Sequence, residues 1–96
     1  MKIYIAGPMT GHNKFYKPAF NRIGDQIERQ GDIALNPAVL PPGLSNEEYL
    51  NICMAMLDVA DEVVMLPNWK YTELAVKQHD RATQRGMKIT YLEALV

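Results

Sequence analysis

Cysteine is nearly absent from this 96-residue chain: Cys53 stands alone, with no partner for an internal disulfide, so packing has to hold the fold together. Histidine is almost as scarce. His12 and His79 lie far apart with no cysteine or acidic cluster beside them, which gives no ligand spacing for zinc, and the composition calls for no other metal or cofactor. Charge of either sign is balanced, with 10 Lys and Arg against 11 Asp and Glu and a formal net charge of −1. That removes the electrostatic footprint of a nucleic-acid polymer partner. No apolar run is long enough to span a bilayer and no charged-then-apolar leader opens the chain, so the expectation is a cytoplasmic protein without a membrane partner. Repeats and low-complexity stretches are missing too, and the length accommodates one domain, residues 1–96. A small α/β unit buries a modest fraction of its surface and gains stability by self-association, which points to a homodimer or higher homo-oligomer.

What is present is regular punctuation. Ile3 to Ala6 reads as a strand, followed by a turn and a helix whose opening turn holds Pro18, where a missing N–H costs nothing. Ala19, Phe20, Ile23 and Ile27 recur at helical spacing, and Gly31 stops the helix. Ile33 to Leu35 is a short second strand ended by Asn36-Pro37. The stretch from Ala38 to Leu44, with Pro41-Pro42-Gly43 inside it, reads as a loop too proline-rich for regular structure. Ser45-Asn46-Glu47-Glu48 is a capping box that starts a second helix. Its apolar residues Tyr49, Leu50, Ile52, Cys53, Met56, Leu57 and Ala60 span so wide an arc that the helix is expected to be covered on more than one side. Val63 to Leu66 is apolar throughout, as a parallel strand between two layers of helices is. Thr72 is placed to cap a third helix running to about Arg85, Gly86 ends it, and Lys88 to Leu92 forms a fourth strand. Strands alternating with helices imply parallel strands and right-handed crossovers, hence an α/β doubly wound sheet of about four strands.

Ligands of such sheets bind beyond the carboxyl ends of the strands, where the loops Gly7 to Asn13, Asn36 to Leu44 and Pro67 to Tyr71 meet. The first of these, Gly7-Pro8-Met9-Thr10-Gly11, follows a strand and precedes a helix. A turn of this kind leaves backbone N–H groups available to a phosphate or a sugar hydroxyl, and it equally suits a tight structural turn. It is neither a dinucleotide fingerprint nor a phosphate loop with its lysine.

The segments Tyr4-Ile5-Ala6-Gly7-Pro8-Met9-Thr10-Gly11, Pro18-Ala19-Phe20-Asn21, Asn36-Pro37-Ala38, Ala60-Asp61 and Leu66-Pro67-Asn68-Trp69, in that order, resemble the small DUF4406 proteins. That family is grouped with the nucleoside 2-deoxyribosyltransferase-like proteins. The resemblance implies a small flavodoxin-like, or Rossmann-like, three-layer sandwich, usually assembled as a homodimer or higher oligomer. It also implies a site for a deoxynucleoside or its monophosphate. Active relatives cleave the bond between base and deoxyribose, in chemistry similar to retaining glycoside cleavage: one carboxylate attacks the anomeric carbon and a second acidic group assists.

Carried over residue by residue, the resemblance keeps the scaffold and loses both carboxylates. Where relatives read Ser or Asp, any residue, Gly, a small residue, two more and then the catalytic Glu, this chain reads Thr72-Glu73-Leu74-Ala75-Val76-Lys77-Gln78. Gln78 takes the nucleophile position, and Leu74 replaces the glycine that admits the sugar. The position of an assisting aspartate falls on Cys53, which on a largely apolar helix face is more simply a small buried hydrophobe. Glu73 is about 140° around the helix from Gln78, and His79 and Asp80 also point elsewhere. Asp58 and Asp61, near the end of the second helix, read as turn or surface residues.

Among the remaining candidates, Tyr4 matches a tyrosine that in relatives reaches the catalytic carboxylate, and it is equally an ordinary core aromatic. Trp69 has the ring to stack on a base or to cover the edge of the domain. Asn36 suits pairing with a base or sugar edge, although Asn-Pro also ends strands. Three function classes follow. The chain is a nucleoside- or nucleotide-binding protein with impaired or no catalysis, or an active deoxyribosyltransferase or deoxynucleoside-monophosphate N-glycosidase that completes its site differently, or a non-catalytic oligomeric interaction module. Retention of the Gly7 turn, Asn36 and Trp69 favours the first.

Overall fold

Five residues, Lys2–Ala6, form β1, and their side chains alternate between two separate cores. Ile3 and Ile5 point into one core, Tyr4 and Ala6 into the other, as the two-residue period of a strand requires. The computed structural model describes residues 1–8 and 16–93. Within them the elements run β1, α1 (Tyr16–Arg29), β2 (Ile33–Leu35), α2 (Asn46–Asp58), β3 (Glu62–Met65), α3 (Glu73–Gln84) and β4 (Lys88–Tyr91). The four strands form one parallel sheet in the order β2-β1-β3-β4. Tyr4 lies opposite Leu35 on one side and Val63 on the other.

The first core is closed by α1, through Phe20, Ile23 and Ile27, against Ile3, Ile5 and Leu66. On the other face Cys53 and Leu57 of α2 and Ala82 of α3 meet Tyr4, Ala6, Val63 and Met65. The result is a flavodoxin-like three-layer α/β sandwich. The first-layer helix covers mainly β1 and β2, so Val64 of β3 is only half-buried although its sequence reads as fully enclosed. No helix among the described residues is long and apolar enough to cross a membrane.

Local signals explain the boundaries. Gly31 takes φ = 89°, and beside it the Asp32 N–H donates to Ile27 O at 3.2 Å, closing the carboxyl end of α1. Gly86, at φ = 67°, ends α3 in the same manner, with Met87 N–H on Ala82 O at 3.0 Å. At the start of α2 the Ser45 hydroxyl accepts from Glu48 N–H at 3.1 Å, and the Glu48 carboxylate accepts from Ser45 N–H at 2.8 Å.

Three sequence expectations need correction. The stretch after β2 is not wholly irregular: Pro37–Val39 form a 3-10 turn, because the Asn36 side chain accepts from Ala38 N–H and proline is well suited to a first helical position. Thr72 stands at the start of α3 but its hydroxyl caps nothing. The backbone closes the junction instead, with Thr72 N–H on Trp69 O at 3.1 Å and Val76 N–H on Thr72 O at 3.0 Å. Nor is α2 covered all round. Within the helix only Cys53 and Leu57 are buried, while Ile52 and, just past its end, Val59 remain 37% and 56% exposed, because sheet and α3 approach from one side only.

Two contacts tie the sheet together beyond its ladders. The Asp61 carboxylate accepts from Lys2 N–H at 2.8 Å while Asp61 N–H donates to Lys2 O at 2.7 Å, joining the entries of β1 and β3. Chiefly because of that backbone hydrogen bond, the Asp61 carboxyl is held below its ordinary value. A lowered value in the folded state adds stability at neutral pH that is lost as pH falls through the ordinary carboxylate range and then the depressed one. Asp61→Asn is therefore expected to show a shallower decline of urea-unfolding stability on acidification than the parent chain. At the other end of the sheet a Cβ on Gly7 would sit 2.7 Å from Leu66 Cβ. Gly7→Ala should lower stability by about 1–3 kcal/mol, measured as a shift of the urea midpoint, since the buried Leu66 has no room to retreat.

Candidate functional site

The chain leaves β1 for β2 on one side and later returns to β3 on the other, which puts the topological switch point between the carboxyl ends of β1 and β3. Gly7 and Pro8 follow β1 there, and Leu66 and Pro67 follow β3. Leu66 N–H donates to Ala6 O at 2.8 Å, and the missing side chain of Gly7 is what allows the two segments to lie so close. Met9, Thr10 and Gly11, the rest of the proposed ligand turn, lie outside the described residues, as does His12.

Beneath that junction three of the singled-out residues meet. The Tyr4 hydroxyl donates to Gln78 Oε1 at 3.0 Å across the interface between β1 and α3, and the Cys53 thiol of α2 lies beside the same hydroxyl. Burial, and secondarily Cys53, pushes the Tyr4 hydroxyl well above its ordinary value. Burial likewise raises the Cys53 thiol, partly offset by its hydrogen bond with Tyr4. Both groups are thus neutral at physiological pH, and the cluster holds an alcohol, a thiol and an amide. Cys53 is a buried thiol without the cationic surroundings that would activate it.

Gln78 is the one polar residue in the described core, 4% exposed. Its Oε1 accepts from the Tyr4 hydroxyl, and its Nε2 has no partner among the described residues.

The carboxylates that might have replaced Gln78 are engaged elsewhere. Glu73 pairs with Lys77 at 3.1 Å on the outer face of α3. Asp58 holds Arg81 at 3.1 Å and Arg85 at 3.8 Å, Asp61 holds Lys2, and Asp80 is 4.0 Å from its neighbour His79. Among the described residues no group of three or more His, Cys, Asp or Glu is gathered to hold a metal ion.

The other candidates are not brought into this cluster. Asn36 Nδ2 donates to Asn21 Oδ1 at 2.9 Å and its Oδ1 accepts from Ala38 N–H at 2.9 Å, so its amide links α1 to the turn after β2. Thr72 begins α3 with an uncapped first turn. Trp69 stacks on His79, ring centroids 4.2 Å apart and 26° between planes, and Tyr91 stands tilted 6.1 Å away. His79 Nε2 and the Tyr91 hydroxyl are hydrogen-bonded at 2.7 Å. From its place in the sequence His79 suggests only a metal ligand or a spare base, and Tyr91 carries no signal at all. Nothing in a linear pattern pairs a helix residue with a strand residue 12 positions on, and only the placement of α3 against β4 does so.

A double-mutant cycle measures the polar link. Tyr4→Phe should cost about 1–3 kcal/mol by leaving the Gln78 oxygen unsatisfied, and Gln78→Met should cost a similar amount by orphaning the Tyr4 hydroxyl. The pair together should destabilise by less than the sum, as read from denaturant unfolding.

No curated protein and no solved structure matches the chain. The description of the family whose model matches residues 1–91 is a domain of unknown function, DUF4406, and the chain belongs to that family.

Proposed function

We propose that this chain binds a deoxynucleoside or nucleotide in the manner of the nucleoside 2-deoxyribosyltransferase-like proteins, with impaired or no cleavage of the bond between base and sugar. The observation that carries this reading is the neutral cluster itself: hydroxyl, thiol and amide joined below the switch point. Cleavage through a glycosyl intermediate needs one carboxylate at the anomeric carbon and a second acidic group at the leaving base. An amide at Gln78 keeps the shape of glutamate and can donate to a sugar oxygen, but it is too weak a nucleophile to form the intermediate and cannot serve as a base. Loss of acid–base help alone costs about 10²- to 10⁴-fold in rate, and loss of the nucleophile adds to that.

One further observation supports binding at this edge. The first turn of α3, without a side-chain cap from Thr72, offers N–H groups to an electronegative atom. The apolar residues left exposed on and just beyond α2, Ile52 and Val59, suit self-association as a homodimer or higher oligomer.

Thermal unfolding in the presence of a panel of deoxynucleosides and their 5′-monophosphates tests the reading. At a hundredfold excess over Kd, a ligand selective for the folded chain adds about 2.7 kcal/mol, readily visible as a rise in Tm. At least one member of the panel is expected to produce it, while chromatography detects no accumulation of free base. A flat Tm across the panel would discard the binding proposal, and rapid base release would replace it with an active N-glycosidase, completed by an acidic group of a second subunit. The double variant Gln78→Glu, Cys53→Asp is expected to gain base release over the parent chain.

A further inference from the structure

β2 is an edge strand of three residues, paired with β1 along one side only. Ile33 N–H donates to Met1 O at 2.9 Å, so the backbone polar groups of Ile33, and two positions on those of Leu35, are turned to β1. Those of Ala34, between them, are turned outward to the free edge, where a neighbouring strand would meet them. The side chains alternate as well. Ala34 packs with the α1 core and Leu35 with the α2 core, and Ile33, 58% exposed, shares the Leu35 side by its two-residue spacing.

A cleft of about 340 Å³ lies along this edge. Its lining includes residues of α1 from one face of the sheet, Met56 of α2 from the other, and Ala34 and Leu35 of β2 itself. A hollow that touches both helical layers at the outermost strand has to wrap the rim of the sheet. Its two sides differ in chemistry. On the α1 side stand Asp25 and Glu28, both exposed and neither in an ion pair among the described residues. On the α2 side are Leu35 and Met56, and Val39, 74% exposed, adds a third apolar surface just past the strand.

A strand laid along β2 has to match both sides at once. Residues directly opposite each other in a ladder point to the same face, so a guest residue opposite Ala34 points towards Asp25 and Glu28, and its two neighbours point towards Leu35 and Met56. We propose that the β2 edge is a docking site for an extended segment of another protein with the pattern aliphatic, basic, aliphatic, which joins the sheet as a fifth strand. The central lysine or arginine meets the two free carboxylates, and the aliphatic pair covers apolar surface that β2 and α2 leave open. A second copy of this chain is the poorer occupant. A two-fold axis at Ala34 would set the Asp25 and Glu28 of one copy against those of the other, like charge against like.

The probe is a hexapeptide alternating Val and Lys, acetylated, amidated and fluorescently labelled, titrated with the full chain at low salt. Its anisotropy should rise to saturation. An isomer with the same six residues in two blocks, three valines and then three lysines, should bind more weakly. The double variant Asp25→Asn, Glu28→Gln should lose about tenfold in affinity for the alternating peptide, the scale of one hydrogen bond to a charged group. Val39→Lys, at a position exposed enough to leave folding undisturbed, should weaken it too. Hydrogen exchange adds a local reading, since the Ala34 amide should become protected only when the peptide is bound. Equal binding of the two isomers, or an affinity that the double variant leaves intact, would overturn the proposal, and so would the absence of saturation. A chain that is a dimer in solution, that Val39→Lys converts to a monomer and that takes up no peptide would give the edge to a second copy and likewise overturn it.

Discussion

A phenol placed in the centre of a dry sheet has to find a hydrogen-bond acceptor, and in this protein that requirement fixes how the upper layer sits. Tyr4 belongs to β1, the strand with a neighbour on either side and helices over both faces, and its side chain is fully buried. Its hydroxyl is satisfied by Gln78, 74 residues away in sequence. An unpaired polar group there would cost more than the net gain from an ordinary hydrogen bond, so the pairing constrains the rotation of α3 about its axis. With Gln78 turned to β1, Ala75 and Ala82 fall onto the sheet and His79 turns to β4. Both the neutral cluster and the group of aromatic rings around His79 are consequences of that one rotation.

Much of the architecture was legible in the residue pattern, and the reasons are local. Gly31 and Gly86 end helices because they adopt backbone angles that other residues resist, and Ser45 with Glu48 starts one by mutual capping. These signals act within a few positions and survive any tertiary context. The alternation of helix and strand then left few arrangements open. What escaped the pattern depends on neighbours distant in sequence. The incomplete cover over Val64 and over Ile52 is decided by how many helices the chain supplies to each face, which no window of residues reveals. The 3-10 turn at Pro37–Val39 was hidden because a proline-rich stretch was read for what proline prevents, while the Asn36 side chain supplied what the turn needs.

The site divides along the same line. Tyr4, Cys53 and Gln78 were named from a resemblance in three separate segments, and the fold brings these three together. Asn36 offers an amide, which the fold pairs with Asn21 of α1 and with Ala38 N–H. Trp69 was named for its ring, whose closest aromatic neighbour is His79. A side chain's functional groups can be read from sequence, but their direction depends on which partner reaches them first.

The central position of β1 also has a temporal consequence. It leaves the ribosome well ahead of its partner β3, which begins about 60 residues later, at Glu62. At roughly 5–20 residues per second, synthesis leaves Lys2–Ala6 waiting some 3–12 seconds for that edge to be closed. During that interval β1, whose side chains are buried in the finished fold, can pair only with β2, three residues long, so the nascent protein depends on that short strand to shield β1.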